Sequence, residues 1–266
     1  SPFVLGTVGS RWARIENIPV IFTFHTLYHR YLHYYKPMPP RAARAYALWQ
    51  IRRYCELCDH IIAPSQAVAR VATRFRPDVP ISVLPTGVNT EKFAGGNGAP
   101  VRRKYAIACE ERVLLYVGRL AQEKNLPFLI ESLAPLLRDA STPARLMLVG
   151  GGPYEEELKA LVRELRLESR VIFTGFIESG DLADYYAAGD IFVFASRTET
   201  QGVCIAEALA AGLPCVVVNA MGAAESVENG CEGFVVPPRA EAFRDAVAQL
   251  VRDDELRARM TQNAQA

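Results

Sequence analysis

Six short apolar runs recur between residues 113 and 236, and the first five are separated from one another by stretches with helical periodicity. The runs lie near 113–117, 145–149, 171–173, 191–195, 215–218 and 233–236. The helical stretches fall near 127–138, 154–166, 179–188, 204–211 and 240–251, with one more near 254–264. Runs this short and continuously apolar read as strands buried on both faces. Strands of that kind, alternating with amphipathic helices, specify a doubly wound parallel sheet, and in such sheets ligands bind beyond the carboxyl ends of the strands.

The N-terminal third follows the same logic with fewer strands. A helix over about 7–17 leads through Pro19 into a short strand at 20–23. A long helix is expected from Arg41 to about Leu57, with Pro40 at its start. Asp59–Pro64 reads as a strand, Ser65 as the N-cap of a helix to about Phe75, and Ile81–Leu84 as a third strand. Gly87, in the following Pro-Thr-Gly-Val-Asn turn, is expected to take positive φ. Ala94–Pro100, with three glycines in seven residues, reads as a linker. The expected organisation is a partial N-terminal acceptor-side domain over 1–93, a linker over 94–100 and a C-terminal domain over 101–266. Three strands are few for a sheet buried on both faces, so the first domain is expected to lack elements and the chain alone to be inactive.

Half of the 266 residues are hydrophobic and 22% are charged, which describes a soluble globular protein. Thirty basic residues against twenty-nine acidic ones give no overall signal for nucleic acid. Six scattered cysteines form no disulfide framework and suit a reducing, cytoplasmic setting. Cys55 and Cys58 form a CxxC near His60, but zinc would need a second spaced pair and none exists, so two buried thiols on a helix is the better reading.

Five stretches carry chemistry. Ala195–Pro214 runs from a strand end through a polar turn into a helix, with Glu199 in the turn and Glu207 among Ala, Ile and Leu. A carboxylate at position 207 is costly unless something hydrogen-bonds it. Val113–Leu120 ends a strand in Gly118 and Arg119, and Lys124 follows five residues after the arginine. A planar fork and a point charge at a strand end can converge on one diphosphate. Leu146–Pro153 ends in Gly150, Gly151 and Gly152 before a helix, and Phe173–Ile177 ends the next strand. His25 sits just past a strand end in Thr23-Phe24-His25-Thr26.

Glu-x7-Glu followed by Ala-Leu-Ala-Ala-Gly-Leu-Pro resembles the signature of retaining GT-B glycosyltransferases of family 4, and Tyr-Val-Gly-Arg-x4-Lys-Asn-Leu-Pro resembles their pyrophosphate loop. The resemblance implies a GT-B fold of two Rossmann-like domains and transfer of a sugar, glucose by expectation, from a UDP-linked donor with retention. It implies that Arg119 and Lys124 hold the diphosphate, that Glu207 takes the ribose and that Glu199 takes hydroxyls of the sugar. His25 then faces the reacting side of that sugar. Gly118, Gly150, Gly152, Phe176, Ile177, Gln201, Gly202 and Val203 complete the implied donor-binding set, with Phe176 and Ile177 at the base. No metal and no further cofactor is implied, because the two cations neutralise the diphosphate. A glycosidase-like acid and nucleophile pair is rejected for the two glutamates, since the family places them at different parts of one donor.

Phe24–Tyr28 with Tyr31, His33 and Tyr34, plus Thr198–Gly202, look most like bacterial diacylglycerol glucosyltransferases, so a membrane lipid is the favoured acceptor. His29 and His33 have no family counterpart that supports a role. Arg44, Arg52 and Arg53 with Tyr46, Trp49 and Tyr54 on the helix from Arg41 fit either a helix packed on the sheet or peripheral contact with the inner face of a membrane. A sugar or polysaccharide acceptor, a GT-B sugar-nucleotide epimerase and a non-catalytic nucleotide-sugar-binding module are the alternatives. The Glu-x7-Glu context disfavours the epimerase. The joint presence of His25, Arg119, Lys124, Glu199 and Glu207 argues against a decayed site.

Overall fold

The computed structural model describes residues 4–28 and 39–265. His29, Tyr31, His33, Tyr34 and Ser1–Phe3 lie outside them. The chain forms two compact units, residues 1–86 with 198–201, and residues 87–197 with 202–266.

In the first unit, α1 (Val4–Ile15) precedes β1 (Ile21–Thr23), α2 (Pro40–Cys55), β2 (His60–Ala63), α3 (Gln66–Phe75) and β3 (Ile81–Val83). The three strands form one parallel sheet in the order β1-β2-β3. Proline opens α2, where its missing N–H costs nothing. Ser65 caps α3 by accepting from the Val68 N–H at 3.3 Å. Cys55 is the last residue of α2, while Cys58 lies beyond it and donates to the Tyr54 carbonyl at 3.2 Å. Both thiols are buried, and burial pushes Cys55 up to about 12 and Cys58 up to about 11. They pack as small hydrophobes. Gly87 is not among the residues with positive φ.

The second unit opens with α4 (Thr90–Ala94) and α5 (Ala99–Lys104). The stretch read as a linker therefore contains the end of one helix and the start of another. Gly96 and Gly98 lie between them, where an added Cβ would come within 2.3 Å of the Ala183 and Ala187 carbonyl oxygens. The glycines serve close packing rather than flexibility.

The remaining elements are β4 (Arg112–Val117), α6 (Leu126–Arg138), β5 (Ala144–Val149), α7 (Glu155–Glu164), β6 (Val171–Gly175), α8 (Leu182–Ala188), β7 (Ile191–Phe194), α9 (Val203–Ala210), β8 (Cys215–Val218), β9 (Gly233–Val236), α10 (Ala240–Arg252) and α11 (Asp254–Gln265). The sheet runs β6-β5-β4-β7-β8-β9 with every pair parallel. The chain moves outward from β4 to one edge and then returns beside β4 to build the other half. That reversal places a topological switch point between β4 and β7. α6 packs with α7 and α10, while α4 packs with α8 and α9.

Charge fixes the opposite end of this sheet. Glu111, just before β4, accepts from Arg145 at 2.9 Å and from Arg170 at 3.4 Å. Burial pushes the Glu111 carboxyl up, but the Ala108 N–H and the two guanidinium groups outweigh it and hold the group below its ordinary value. Asp190, just before β7, accepts from Arg102 at 2.9 Å and from the Val113 N–H at 2.7 Å. Among the described residues, no helix is long and apolar enough to cross a membrane.

Candidate functional site

The carboxyl ends of β4, β5 and β6 surround a cavity of about 430 Å³. Val117, Gly118 and Arg119 line it from the end of β4 and the turn after it, Val149, Gly150 and Gly151 from the end of β5 and its turn, Phe176 and Ile177 from the turn after β6, and Leu182 from α8. Its size suits a small ligand. Five of the residues singled out in the sequence meet here: Gly118, Arg119, Gly150, Phe176 and Ile177. Phe176 is 82% exposed, a conspicuous position for a large apolar residue at a cavity mouth.

The glycine turn is shaped by its own backbone. Beyond the strands, β4 and β5 stay paired, with Gly118 N–H donating to Val149 O at 2.9 Å and Leu120 N–H to Gly151 O at 3.0 Å. Gly150 has φ +125°, and a Cβ there would lie 2.2 Å from Gly118 O. Gly152 is pressed against Leu120 in the same way and does not line the cavity. Gly151 does line it, and its Cβ position is open, with nothing nearer than Phe176 N at 3.7 Å.

The loop carrying the two cations is tied down on both sides. The buried Tyr116 hydroxyl donates to the Arg119 carbonyl at 3.1 Å. Ser196, wholly buried at the end of β7, donates to the Glu123 carbonyl at 3.1 Å. Asn125 takes a left-handed conformation and its side-chain N–H donates to the Ala195 carbonyl at 3.2 Å. Lys124 ends a single 3-10 turn, Gln122–Lys124, just before α6, outside the residues that line the cavity.

Gly202, with φ +80°, is the buried N-cap of α9, and Val203 is exposed at its first position. At the other end the Gly212 N–H returns to Leu209 O and Leu213 N–H to Ala208 O, which stops the helix as the sequence suggests. Glu207 lies half-buried on α9, and the wholly buried Tyr186 of α8 donates its hydroxyl proton to Oε2 at 2.7 Å. The same hydroxyl is 3.2 Å from the Cys204 carbonyl, so the shorter, charge-assisted contact takes the proton. Burial pushes the Glu207 carboxyl above its ordinary value, against the Tyr186 hydrogen bond and the Lys92 charge.

In the first unit His25 is exposed, and its carbonyl accepts from Thr200 Oγ1 at 3.0 Å. Glu199 is partly exposed beside it in sequence. The Gln201 amide grips the Thr86 backbone, accepting from its N–H at 2.8 Å and donating to its carbonyl at 2.9 Å. Tyr116, Asn125, Gly151, Tyr186 and Ser196 were given no role by sequence. Tyr116 and Asn125 had a signal in the pyrophosphate-loop motif and Gly151 in the triple glycine, whereas Tyr186 and Ser196 are ordinary until the fold brings their partners near.

The glycosyl transferases group 1 model matches residues 99–266, and the glycosyltransferase family 4 model matches residues 1–92. The alpha-monoglucosyldiacylglycerol synthase of Streptococcus pneumoniae is 36% identical over 220 residues, covering 80% of this chain and 49% of that protein. The Acholeplasma laidlawii protein of the same name is 27% identical over 99% of this chain and 68% of its own length. Among solved structures, Anabaena HepE in complex with UDP and glucose superposes with a TM-score of 0.81 at 25% identity, over 98% of this chain and 69% of that one. Two parallel α/β sheets of this kind define a GT-B glycosyltransferase fold. The chain belongs to the glycosyl transferases group 1 family. It spans about half the length of the pneumococcal relative.

Proposed function

We propose that the whole protein is a retaining glycosyltransferase that moves glucose from a UDP-linked donor to the hydroxyl of a diacylglycerol-type membrane lipid. The observation that carries the donor half is the cavity at the switch-point end of the larger sheet, with Arg119, a glycine-lined floor and an exposed Phe176 around it. HepE, whose fold this chain shares, is in complex with UDP and glucose. The lipid half is supported by the names of the pneumococcal and Acholeplasma relatives.

In this reading Phe176 and Ile177 meet the base, Glu207 takes the ribose hydroxyls, and Arg119 with Lys124 holds the diphosphate and stabilises it as it leaves. Glu199 and the His25 loop serve the transferred sugar. Gln201 contributes through its backbone, because its side chain is engaged with Thr86. The two cations do the work that a divalent metal does elsewhere, so no metal is assigned. The first unit exposes Trp12 and Trp49 at 63% and 50%, with Arg53 stacked 5.1 Å over the Trp49 ring. Arg11, Arg14 and Arg52 lie on the same two helices, α1 and α2. Aromatic and basic side chains together suit an anionic lipid interface, and peripheral membrane contact belongs to this reading.

The test is product analysis with the whole protein, UDP-glucose and dioleoylglycerol in mixed micelles. An α-linked glucosyl lipid is expected from the α-linked donor. A β-linkage overturns retention, and transfer to a free sugar or glycan in preference to the lipid overturns the acceptor. Lys124→Ala should act chiefly on kcat, because that charge matters most as the phosphate departs.

A further inference from the structure

Glu207 is a half-buried carboxylate with two oxygens in different surroundings. Oε2 accepts from Tyr186 at 2.7 Å, whereas no hydrogen bond reaches Oε1 among the described residues. Tyr186 cannot easily move. Its ring is wholly buried, edge-on to Phe93 at 5.3 Å and inclined 34° to Phe192 at 6.1 Å. Phe192 stacks on Phe194 at 6.0 Å, and Phe194 on Tyr116 at 6.0 Å. Each phenol therefore stands at the rim of a packed aromatic row, and the other hydroxyl, that of Tyr116, bonds the Arg119 carbonyl.

We propose that Tyr186 is a positioning residue of the donor site: its hydroxyl fixes Oε2 of Glu207, keeps that carboxylate ionised, and leaves Oε1 to accept from the donor's ribose. This rests on the ribose reading of Glu207 given above. A carboxylate in apolar surroundings would otherwise take up a proton, and a protonated carboxyl is a poor acceptor for a diol. A charge-assisted bond from a phenol opposes that protonation without adding a competing charge. The charged and titratable groups around the carboxylate are few. Tyr186 comes from α8, Lys92 from α4, and the Cys204 and Cys215 thiols from α9 and β8 lie around Tyr186. Lys92 is itself held, donating to Ser179 O at 2.6 Å and to Ser179 Oγ at 3.0 Å. It acts on Glu207 through charge alone, so the directional contact is the phenol's.

The experiment is calorimetric titration of the whole protein with UDP, from about pH 5 to about pH 8, for the wild type, Tyr186→Phe and Glu207→Gln. Tyr186→Phe removes one oxygen and keeps the ring in its row. It should weaken UDP binding about tenfold at neutral pH and move the acidic limb of the affinity profile to higher pH. Replacing Tyr186 with a fluorotyrosine, a stronger hydrogen-bond donor, should move the limb the other way. Glu207→Gln should weaken binding and leave only the part of the limb set by the terminal phosphate of UDP, which itself titrates at about pH 6. A Tyr186→Phe profile that falls by one factor at every pH, or does not fall, overturns the positioning role while the ribose reading stands. Wild-type affinity in Glu207→Gln overturns the ribose reading itself, and the proposal with it.

Discussion

Adjacent glycines in one turn should respond to the same substitution in opposite ways. An alanine at 150 would place its Cβ 2.2 Å from Gly118 O, on a backbone held at φ +125°. The blocking atom is main chain, and both strands are anchored by the continuing β4–β5 pairing, so neither loop can yield cheaply. Forcing the conformation costs about 1–3 kcal/mol, and overpacking adds a similar amount, for a total of roughly 2–6 kcal/mol. For a unit of this size that is a fall in Tm of about 5–20 °C. At Gly151 the nearest atoms to the added Cβ are Phe176 N at 3.7 Å and Glu155 Oε2 at 3.9 Å, which is ordinary contact. Gly151→Ala should melt within about 2 °C of the wild type. It nevertheless puts a methyl group into the cavity, and UDP affinity should drop about tenfold. Differential scanning calorimetry and UDP titration on both variants decide the matter. If Gly150→Ala melts with the wild type but loses UDP, then position 150 is glycine for the ligand's sake and the loop-packing argument is wrong.

Two further outcomes follow from charge. Because burial holds Glu207 protonated to a higher pH than in the unfolded chain, the folded state binds more protons above about pH 4.5, so stability declines as pH rises from there through the folded value. Glu207→Gln should therefore gain in Tm relative to the wild type across that interval while losing UDP affinity, and a Tm difference that does not change with pH would contradict the sign. On the proposed reading, in which Arg119 and Lys124 carry the diphosphate, glucosyl transfer by the whole protein should persist in EDTA; strict dependence on Mg²⁺ or Mn²⁺ would remove the role assigned to them.

The larger sheet was legible because strands buried on both faces leave little freedom. Each apolar run between 113 and 236 lies within a residue or two of an observed strand, and Ser65 and Pro40 open their helices as expected. What composition obscured was tertiary. Gly95–Gly98 has the make-up of a flexible connector, yet two of its glycines are there because α8 passes too close for a side chain. The backbone of the candidate site was legible in part. Gly118, Arg119, Gly150, Phe176 and Ile177 converge on one cavity, since each lies just past the end of one of three neighbouring strands. The supports were not. Tyr186 and Glu207 are 21 residues apart with a strand between them, and no local pattern links a phenol to a carboxylate at that distance. Gln201 was read as a donor contact from the motif around it, whereas its amide is committed to Thr86.

The carboxylate at Glu111, held by Arg145 and Arg170, joins the entrances of β4, β5 and β6, while the loops that leave those same strands form the cavity. The ends of one sheet are thereby divided between anchorage and recognition. A segment such as 119–125 or 175–181 can be exchanged as a cassette without disturbing the ion cluster that sets the strands side by side. If the cavity takes a nucleotide sugar as proposed, grafting the exit loops of another family member is a change of cargo on an unaltered chassis.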